Sequence, residues 1–111
     1  MAYLPSIYKE FQQEFPEIAS AYDELAAKCH GWGSLDRKTR RLIKLGVVIG
    51  LSSEGGVRSH TRRALEEGIT ADEIRHAVLL AFTTAGFPAM IAAMKWVEEV
   101  IEKHKESHEE M

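Results

Sequence analysis

The sequence predicts a single all-α domain of five or six helices, on three observations. Apolar residues recur at helical spacing along most of the chain, and no segment alternates apolar and polar residues long enough to predict a strand. All three prolines stand where helices can begin. A chain of 111 residues has the length of one domain, residues 1–111, and can bury roughly two-thirds of its unfolded surface.

Prolines and a glycine turn delimit the first two helices. Periodic aromatic residues predict the first helix from about Pro5 to Glu14, and Pro16 is expected to open the second. The second helix carries one apolar stripe and ends at the turn formed by residues 30–33. The stripe consists of Ile18, Tyr22, Leu25 and Cys29.

The third helix has a basic beginning and an apolar end. Ser34 or Asp36 can cap it, and it reaches to about Leu51. Residues 45–51 are apolar on every side, which predicts a buried central helix. Gly46 and Gly50 would let another helix approach closely. We interpret the basic residues at 37–44 as a solvated or interface surface.

The fourth helix is expected from roughly Glu54 to Glu67, with Gly68 ending it. Thr70 and Glu73 have the spacing of a capping box, the sharpest boundary signal in the sequence. The fifth helix that follows is apolar on most sides and ends at Gly86, which makes it a second central helix.

Pro88 starts the last helix, and residues 102–111 are expected to form a charged, solvated tail. Two buried central helices in so small a chain imply more apolar surface than one thin domain can cover. Large apolar side chains would also need a cover, namely Trp32, Phe87, Met90, Met94 and Trp96. The sequence therefore predicts self-association through helices.

Composition restricts the possible functions. The chain is 45% hydrophobic and 28% charged, which is typical of a globular protein. Its formal net charge of −3 disfavours general binding to nucleic acid or an anionic membrane surface. Cys29 is the only cysteine, so no intrachain disulfide, redox pair or thiolate metal cage can form. The sequence shows neither a signal peptide nor an apolar run near the ~20 residues of a membrane span. A cytoplasmic protein is expected.

The segment from Ser52 to Arg63 carries the strongest candidate site. Gly55 and Gly56 lower helix propensity in a first turn, which favours either a close helix contact or backbone amides left open to an anion. His60 follows Gly56 on the same helical face, and arginines lie nearby. A pocket for a small carboxylate is one interpretation. The alternative is that the glycines allow packing and that His60 is a hydrogen-bonded core residue.

Cys29 is a possible thiol nucleophile. Such a role requires a base within hydrogen-bond reach, for which His60 or His76 would have to come from another helix. A free cysteine more commonly packs as a small buried hydrophobe, and we keep both interpretations.

Three segments together resemble a known family. They are residues 34–40 (SLDRKTR), residues 60–74 (HTRRALEEGITADEI) and residues 85–89 (AGFPA). From roughly Pro16 to Val100 the chain is similar to the carboxymuconolactone decarboxylase and alkylhydroperoxidase D family. The resemblance implies an all-α fold that assembles into homotrimers or homohexamers.

The peroxidase branch of this family uses Cys-x-x-Cys and, after three intervening residues, a histidine, with a glutamate on the preceding helix. Here His60 matches the histidine, Ser53 and Gly56 take the cysteine positions, and Arg41 takes that of the glutamate. Serine cannot attack a peroxide as a thiolate does. An antioxidant protein of the alkylhydroperoxidase or peroxiredoxin kind would have to rely on Cys29.

The decarboxylase branch needs no metal or organic cofactor and acts on a small anionic lactone that bears a carboxylate. The resemblance implies His60 as the acid/base residue, with Glu54 orienting it. Arg58, Arg62 or the amides of Gly55 and Gly56 suit the binding of the anion, and Ser53 is a further candidate substrate-binding residue. A relative that acts on a different small acid, or a non-catalytic helical oligomer that binds a small ligand, is also compatible.

Overall fold

The structure is a computed structural model, and it describes residues 6–109. Within that range it contains six α-helices and no strand, which confirms the predicted all-α class. The predicted first-helix start at Pro5 lies outside the described residues. The helices are α1 (Ser6–Glu14), α2 (Pro16–Gly31), α3 (Arg37–Gly50), α4 (Glu54–Glu66), α5 (Ala71–Ala85) and α6 (Phe87–Glu109).

The chain divides into two compact units at the junction of Leu35 and Asp36. In the first unit α1 lies against α2, and Pro16 is the first residue of α2, as predicted. The apolar stripe that the sequence places on α2 is not buried. Ile18, Tyr22 and Leu25 are exposed, and so is Cys29. A nine-residue neighbour is too short to cover a helix of 16 residues.

The second unit is a four-helix arrangement. α3 packs against α4 and α5, and α6 packs against the same two helices from the other side. The core is made of aliphatic side chains from all four helices. They are Leu45, Ile49, Val57, Ala64, Ile74, Val78, Ala81, Met90, Ala93 and Val97, joined by Ile69 from the loop before α5.

Local capping signals fix the ends of these helices. Of the two caps considered for α3, Asp36 is the one used, and it accepts a hydrogen bond from the Thr39 amide at 2.8 Å. Thr70 and Glu73 form the predicted capping box at the start of α5. Gly68, which follows α4, has a φ of 86°, a conformation that glycine adopts without steric cost.

The expectation that α3 and α5 are buried all round is wrong for the single chain. Leu45 and Ile49 of α3 are fully buried, but Val47 and Leu51 on the other side are 56% and 71% exposed. Gly46 and Gly50 have open space where a Cβ would lie, so within this chain they receive no close neighbour. In α5, likewise, Val78 is fully buried, whereas Leu79 and Leu80 are exposed.

α6 is longer than the sequence suggested. It continues to Glu109, so most of the segment expected to be a charged tail is helical. Its glutamate and lysine residues are good helix formers, and neither glycine nor proline interrupts them. No helix in the described part of the chain is long and apolar enough to cross a bilayer. The cytoplasmic location stays a prediction.

α3 and α4 are antiparallel and approach closely at one end. A Cβ built on Gly56, in the first turn of α4, would lie 2.8 Å from Val48 Cγ1 of α3. A Cβ built on the neighbouring Gly55 meets nothing within 4 Å. Gly56 is therefore a packing residue, as one of the two interpretations of the glycine pair held, whereas Gly55 is not.

Replacing the two glycines by alanine tests this difference. We expect Gly56→Ala to lower the free energy of unfolding by about 1–3 kcal/mol, because the added methyl forces α3 and α4 apart. Gly55→Ala is the matched control and should raise that free energy by up to ~1 kcal/mol, since alanine is the better helix former. Urea unfolding followed by circular dichroism measures both. Equal effects of the two substitutions would contradict the close approach.

Candidate active site

His60 lies in the middle of α4, on the flank that faces α3. Helical spacing places Gly56 one turn before it and Glu67, the C-cap residue of α4, two turns after it on the same flank. The imidazole is half-buried. The packing of α4 against α3 thus brings this ring next to the basic beginning of α3.

Arg41 of α3 connects His60 to Glu67. Its Nη1 lies 2.9 Å from His60 Nδ1. Its Nε donates to Glu67 Oε1 at 3.1 Å, and its Nη2 donates to Glu67 Oε2 at 2.9 Å. The side chains of Arg41 and Glu67 are only 12% and 20% exposed. The guanidinium is therefore fixed by a two-pronged ion pair that is largely removed from solvent.

The surroundings of His60 favour its neutral form. Burial and, to a lesser extent, the positive charges of Arg41, Arg63 and Lys44 together lower the pKa of His60 from 6.5 to about 4, against an opposing effect of Glu67. Hydrogen bonds from Arg41 hold the pKa of the Glu67 carboxyl below its usual value. At neutral pH the site thus combines an uncharged imidazole with an ionised carboxylate and several cations.

Three of the predicted site residues lie at the start of α4. Ser53 caps the helix, and its Oγ accepts a hydrogen bond from the Gly56 amide at 3.1 Å. The Gly56 amide is therefore not open to an anion, contrary to that part of the expectation, whereas Gly55 is exposed. Glu54 accepts from Arg58 Nε at 3.0 Å. Its orienting role toward His60 stays a prediction.

Arg58 and Arg62 do not converge on His60. Each is two residues away from it on one helix, which places their side chains roughly 200° around the axis. Arg58 donates to Glu54 and, at 2.6 Å, to Glu99 of α6, so its hydrogen bonds stabilise the α4–α6 contact. Arg62 Nε is buried without a hydrogen-bond partner in the described part of the chain. The substrate-binding roles of Arg58 and Arg62 stay predictions.

A surface groove lies on that same side of α4. It is lined by Arg58 and by four charged residues of α6, Glu99, Glu102, Lys103 and Glu106. Three of these four are acidic, and an acidic lining repels a carboxylate. This groove is not the carboxylate pocket that the sequence predicted beside His60.

Sequence reasoning missed Arg41 and Glu67 as site residues. The resemblance had already matched Arg41 to the position of a glutamate that works with the histidine, which was the available signal. Glu67 follows His60 by seven residues, a spacing that keeps both on one helical face. Cys29 lies exposed in the first unit, and its reactivity stays a prediction.

Comparison with known proteins supplies an independent view. The sequence model of the carboxymuconolactone decarboxylase family matches residues 16–99. The chain is 33% identical over 97 residues to the 4-carboxymuconolactone decarboxylase of Acinetobacter baylyi, a match that covers 82% of this chain and 66% of that protein. It is 39% identical over 82 residues to the nitrosuccinic acid decarboxylase of Metarhizium robertsii, with coverage of 65% and 57%. The matches thus span only part of both relatives.

A solved structure shows the same fold. A carboxymuconolactone decarboxylase family protein from Legionella pneumophila superimposes with a TM-score of 0.78 over 87% of each chain, at 24% sequence identity. At this identity the comparison concerns the arrangement of helices and not the chemistry of the site.

The depressed pKa of His60 predicts a specific pH dependence of stability. Between pH 6.5 and about 4 the unfolded chain takes up a proton at His60 that the folded chain refuses, so the free energy of unfolding falls as pH falls. The contribution over this window is on the order of 3 kcal/mol and vanishes above pH 6.5.

The measurement compares the wild type with His60→Gln, which keeps an acceptor for Arg41 but does not titrate. Urea unfolding at several pH values should show the wild type losing stability relative to the variant between pH 6.5 and 4.5. A difference between the two proteins that stays constant over this range would contradict the lowered pKa.

Proposed function

Because the chain belongs to the carboxymuconolactone decarboxylase family, we propose that it is an enzyme that decarboxylates a small carboxylate or lactone without a cofactor. His60 is its central catalytic residue. The observation that supports this role most directly is the 2.9 Å contact between His60 and Arg41 on the cation-rich side of α4. Two relatives named as decarboxylases of small organic acids support the reaction class.

The reaction places definite demands on a site. Loss of carbon dioxide breaks a carbon–carbon bond and leaves its electron pair on the substrate as an enolate-like anion, which must then gain a proton. Cations and hydrogen-bond donors that face the oxygen of this anion lower the barrier. Arg41, Lys44 and Arg63 all lie close enough to His60 to affect its pKa, so an anionic substrate bound there would meet positive charge.

Turnover of a panel of carboxylactones and small dicarboxylic acids, followed by mass spectrometry for loss of carbon dioxide, tests the proposal. We expect His60→Gln to reduce kcat by about 10²–10⁴-fold on any substrate that the wild type converts. Lys95→Gln is the matched control, because it removes an exposed charge from α6.

Cys29→Ser separates the remaining alternatives. Decarboxylation should survive this substitution. Peroxide consumption that is lost with Cys29 would instead indicate the antioxidant function. A wild type that binds members of the panel and converts none would indicate a non-catalytic binding protein, and either result contradicts the proposal.

We also propose that the protein works as a homo-oligomer, a trimer or a hexamer. α3 presents Ile43, Val47 and Leu51 to solvent, one turn apart on a single face, and α5 presents Leu79 and Leu80. Aliphatic side chains exposed in such rows are unfavourable in water, and a second copy carries the same surface.

Sedimentation equilibrium tests the assembly. We expect the wild type to sediment with the mass of three or six chains, and Val47→Lys to shift the distribution toward the monomer because a lysine cannot be buried there without a partner. Gln13→Lys, which adds the same charge at an exposed position of α1, should leave the mass unchanged. A monomeric wild type at high protein concentration would exclude the assembly.

A further inference from the structure

Arg41 offers every nitrogen of its guanidinium to the site. Nε and Nη2 bind the two oxygens of Glu67 at 3.1 and 2.9 Å, and Nη1 lies 2.9 Å from His60 Nδ1. Three hydrogen bonds, two to the carboxylate of Glu67 and one to the ring of His60, fix both the plane and the direction of the guanidinium. The roles of donor and acceptor in the contact between Arg41 Nη1 and His60 Nδ1 can therefore be assigned.

A guanidinium only donates hydrogen bonds, because it has no acceptor and does not lose its proton in proteins. His60 Nδ1 must consequently be the acceptor, and it cannot carry hydrogen. An imidazolium carries hydrogen on both nitrogens and could not accept this bond. The contact thus selects the neutral ring with its single proton on Nε2.

The other ring nitrogen is available to a ligand. Nε2 forms no hydrogen bond with any residue that the structure describes. Unlike Arg62 Nε, it is not a buried atom without a partner. His60 therefore presents one N–H donor that solvent can reach, with its direction set from behind by Arg41.

We propose that Arg41, held by Glu67, is a positioning residue that fixes His60 in its Nε2-protonated neutral form, so that His60 meets the substrate as a hydrogen-bond donor to the oxygen that gains negative charge. The part that concerns substrate rests on the proposed function. Arg41 itself acts through His60 and does not need to touch the substrate.

The chemical step balances without net transfer of the ring proton. The bond to the carboxylate carbon breaks, carbon dioxide leaves, and the electron pair moves into the substrate as an enolate whose oxygen accepts from Nε2–H. That hydrogen bond strengthens as charge develops, which is the condition for lowering the barrier. The substrate carbon then takes a proton from water, and His60 ends as it began.

Charges from both helices support the neutral ring. Arg41 and Lys44 of α3 and Arg63 of α4 disfavour an imidazolium, and Glu67 alone opposes them. Arg63 is exposed and no hydrogen bond to His60 is present in the described chain, whereas Arg41 has both the charge and the hydrogen bond. Mutation of Arg41 and of Arg63 therefore separates the effect of the hydrogen bond from the effect of positive charge.

The experiment records long-range ¹H–¹⁵N spectra of the histidine rings in the full chain at neutral pH, with His60→Gln to assign the signals. We expect wild-type His60 to show the Nε2-protonated form. Arg41→Met should give a mixture of the two neutral forms and raise the titration midpoint by about one unit or more. Arg63→Met, the matched control, should raise the midpoint less and leave the Nε2-protonated form intact.

Arg41→Lys provides a second variant that keeps the charge if Arg41→Met folds poorly. A lysine cannot bind Glu67 with two prongs and His60 with a third. We therefore expect a partial loss of the Nε2-protonated form and, on any substrate that the wild type converts, a fall in kcat larger than the rise in KM.

The outcomes separate this inference from the proposed function. A wild-type ring protonated on Nδ1, or a ring form unchanged in Arg41→Met, would overturn the positioning role whatever the activity. Wild-type spectra as expected, in a protein that converts no member of the acid panel, would retain the positioning of His60 and reject decarboxylation.

Discussion

The close packing of α3 against α4 determines where the groups of the candidate site lie. At one end, a Cβ on Gly56 would lie only 2.8 Å from Val48 Cγ1, so the glycine permits the close approach of the helices. At the other end, Arg41 reaches both His60 and Glu67. Because the two helices are antiparallel, the separation set at Gly56 also determines whether Arg41 lies within hydrogen-bond distance of α4. A larger residue at position 56 would spread the helices and lengthen the hydrogen bond between Arg41 and His60, which lies one turn further along α4.

Arg41, His60 and Glu67 form a polar cluster on this interface in which the charges of Arg41 and Glu67 balance. An arginine beside a half-buried histidine would be unfavourable if the histidine were charged, and the lowered pKa shows that the ring avoids this by staying neutral. The carboxylate of Glu67 balances the guanidinium and accepts two of its hydrogen bonds. The result is an uncharged hydrogen-bond donor surrounded by positive charge, an arrangement that favours the binding of an anionic ligand.

Local signals in the sequence predicted much of the fold, and burial was where prediction failed. Pro16 and the capping box of Thr70 and Glu73 act within a few residues, so their effects can be read directly from the sequence. The exposure of Val47 and of the α2 stripe depends on which elements lie opposite, and periodicity alone does not specify that. Residues 102–111 were expected to be a charged, solvated tail because of their polarity, whereas glutamate and lysine favour helices and α6 continues to Glu109.

The same distinction explains the candidate site. The glycine pair before His60 and the family resemblance indicated His60. Proximity in sequence suggested that Arg58 and Arg62 would lie beside it in the site. Residues two apart on a helix point to opposite sides, so these arginines face away from it. The companion that the structure supplies is Arg41, which lies 19 residues earlier and reaches His60 only through tertiary packing.

Glu67 is the C-cap residue of α4, immediately before a glycine with a left-handed backbone, and helix ends open more easily than helix centres. The anchor of the guanidinium thus lies at the end of α4, whereas His60 lies in the middle of that helix. Transient fraying there would release the arginine and make the imidazole more basic, without moving the imidazole itself. The proton affinity of His60 therefore depends on whether the C-terminal turn of α4, which ends at Glu67, is formed.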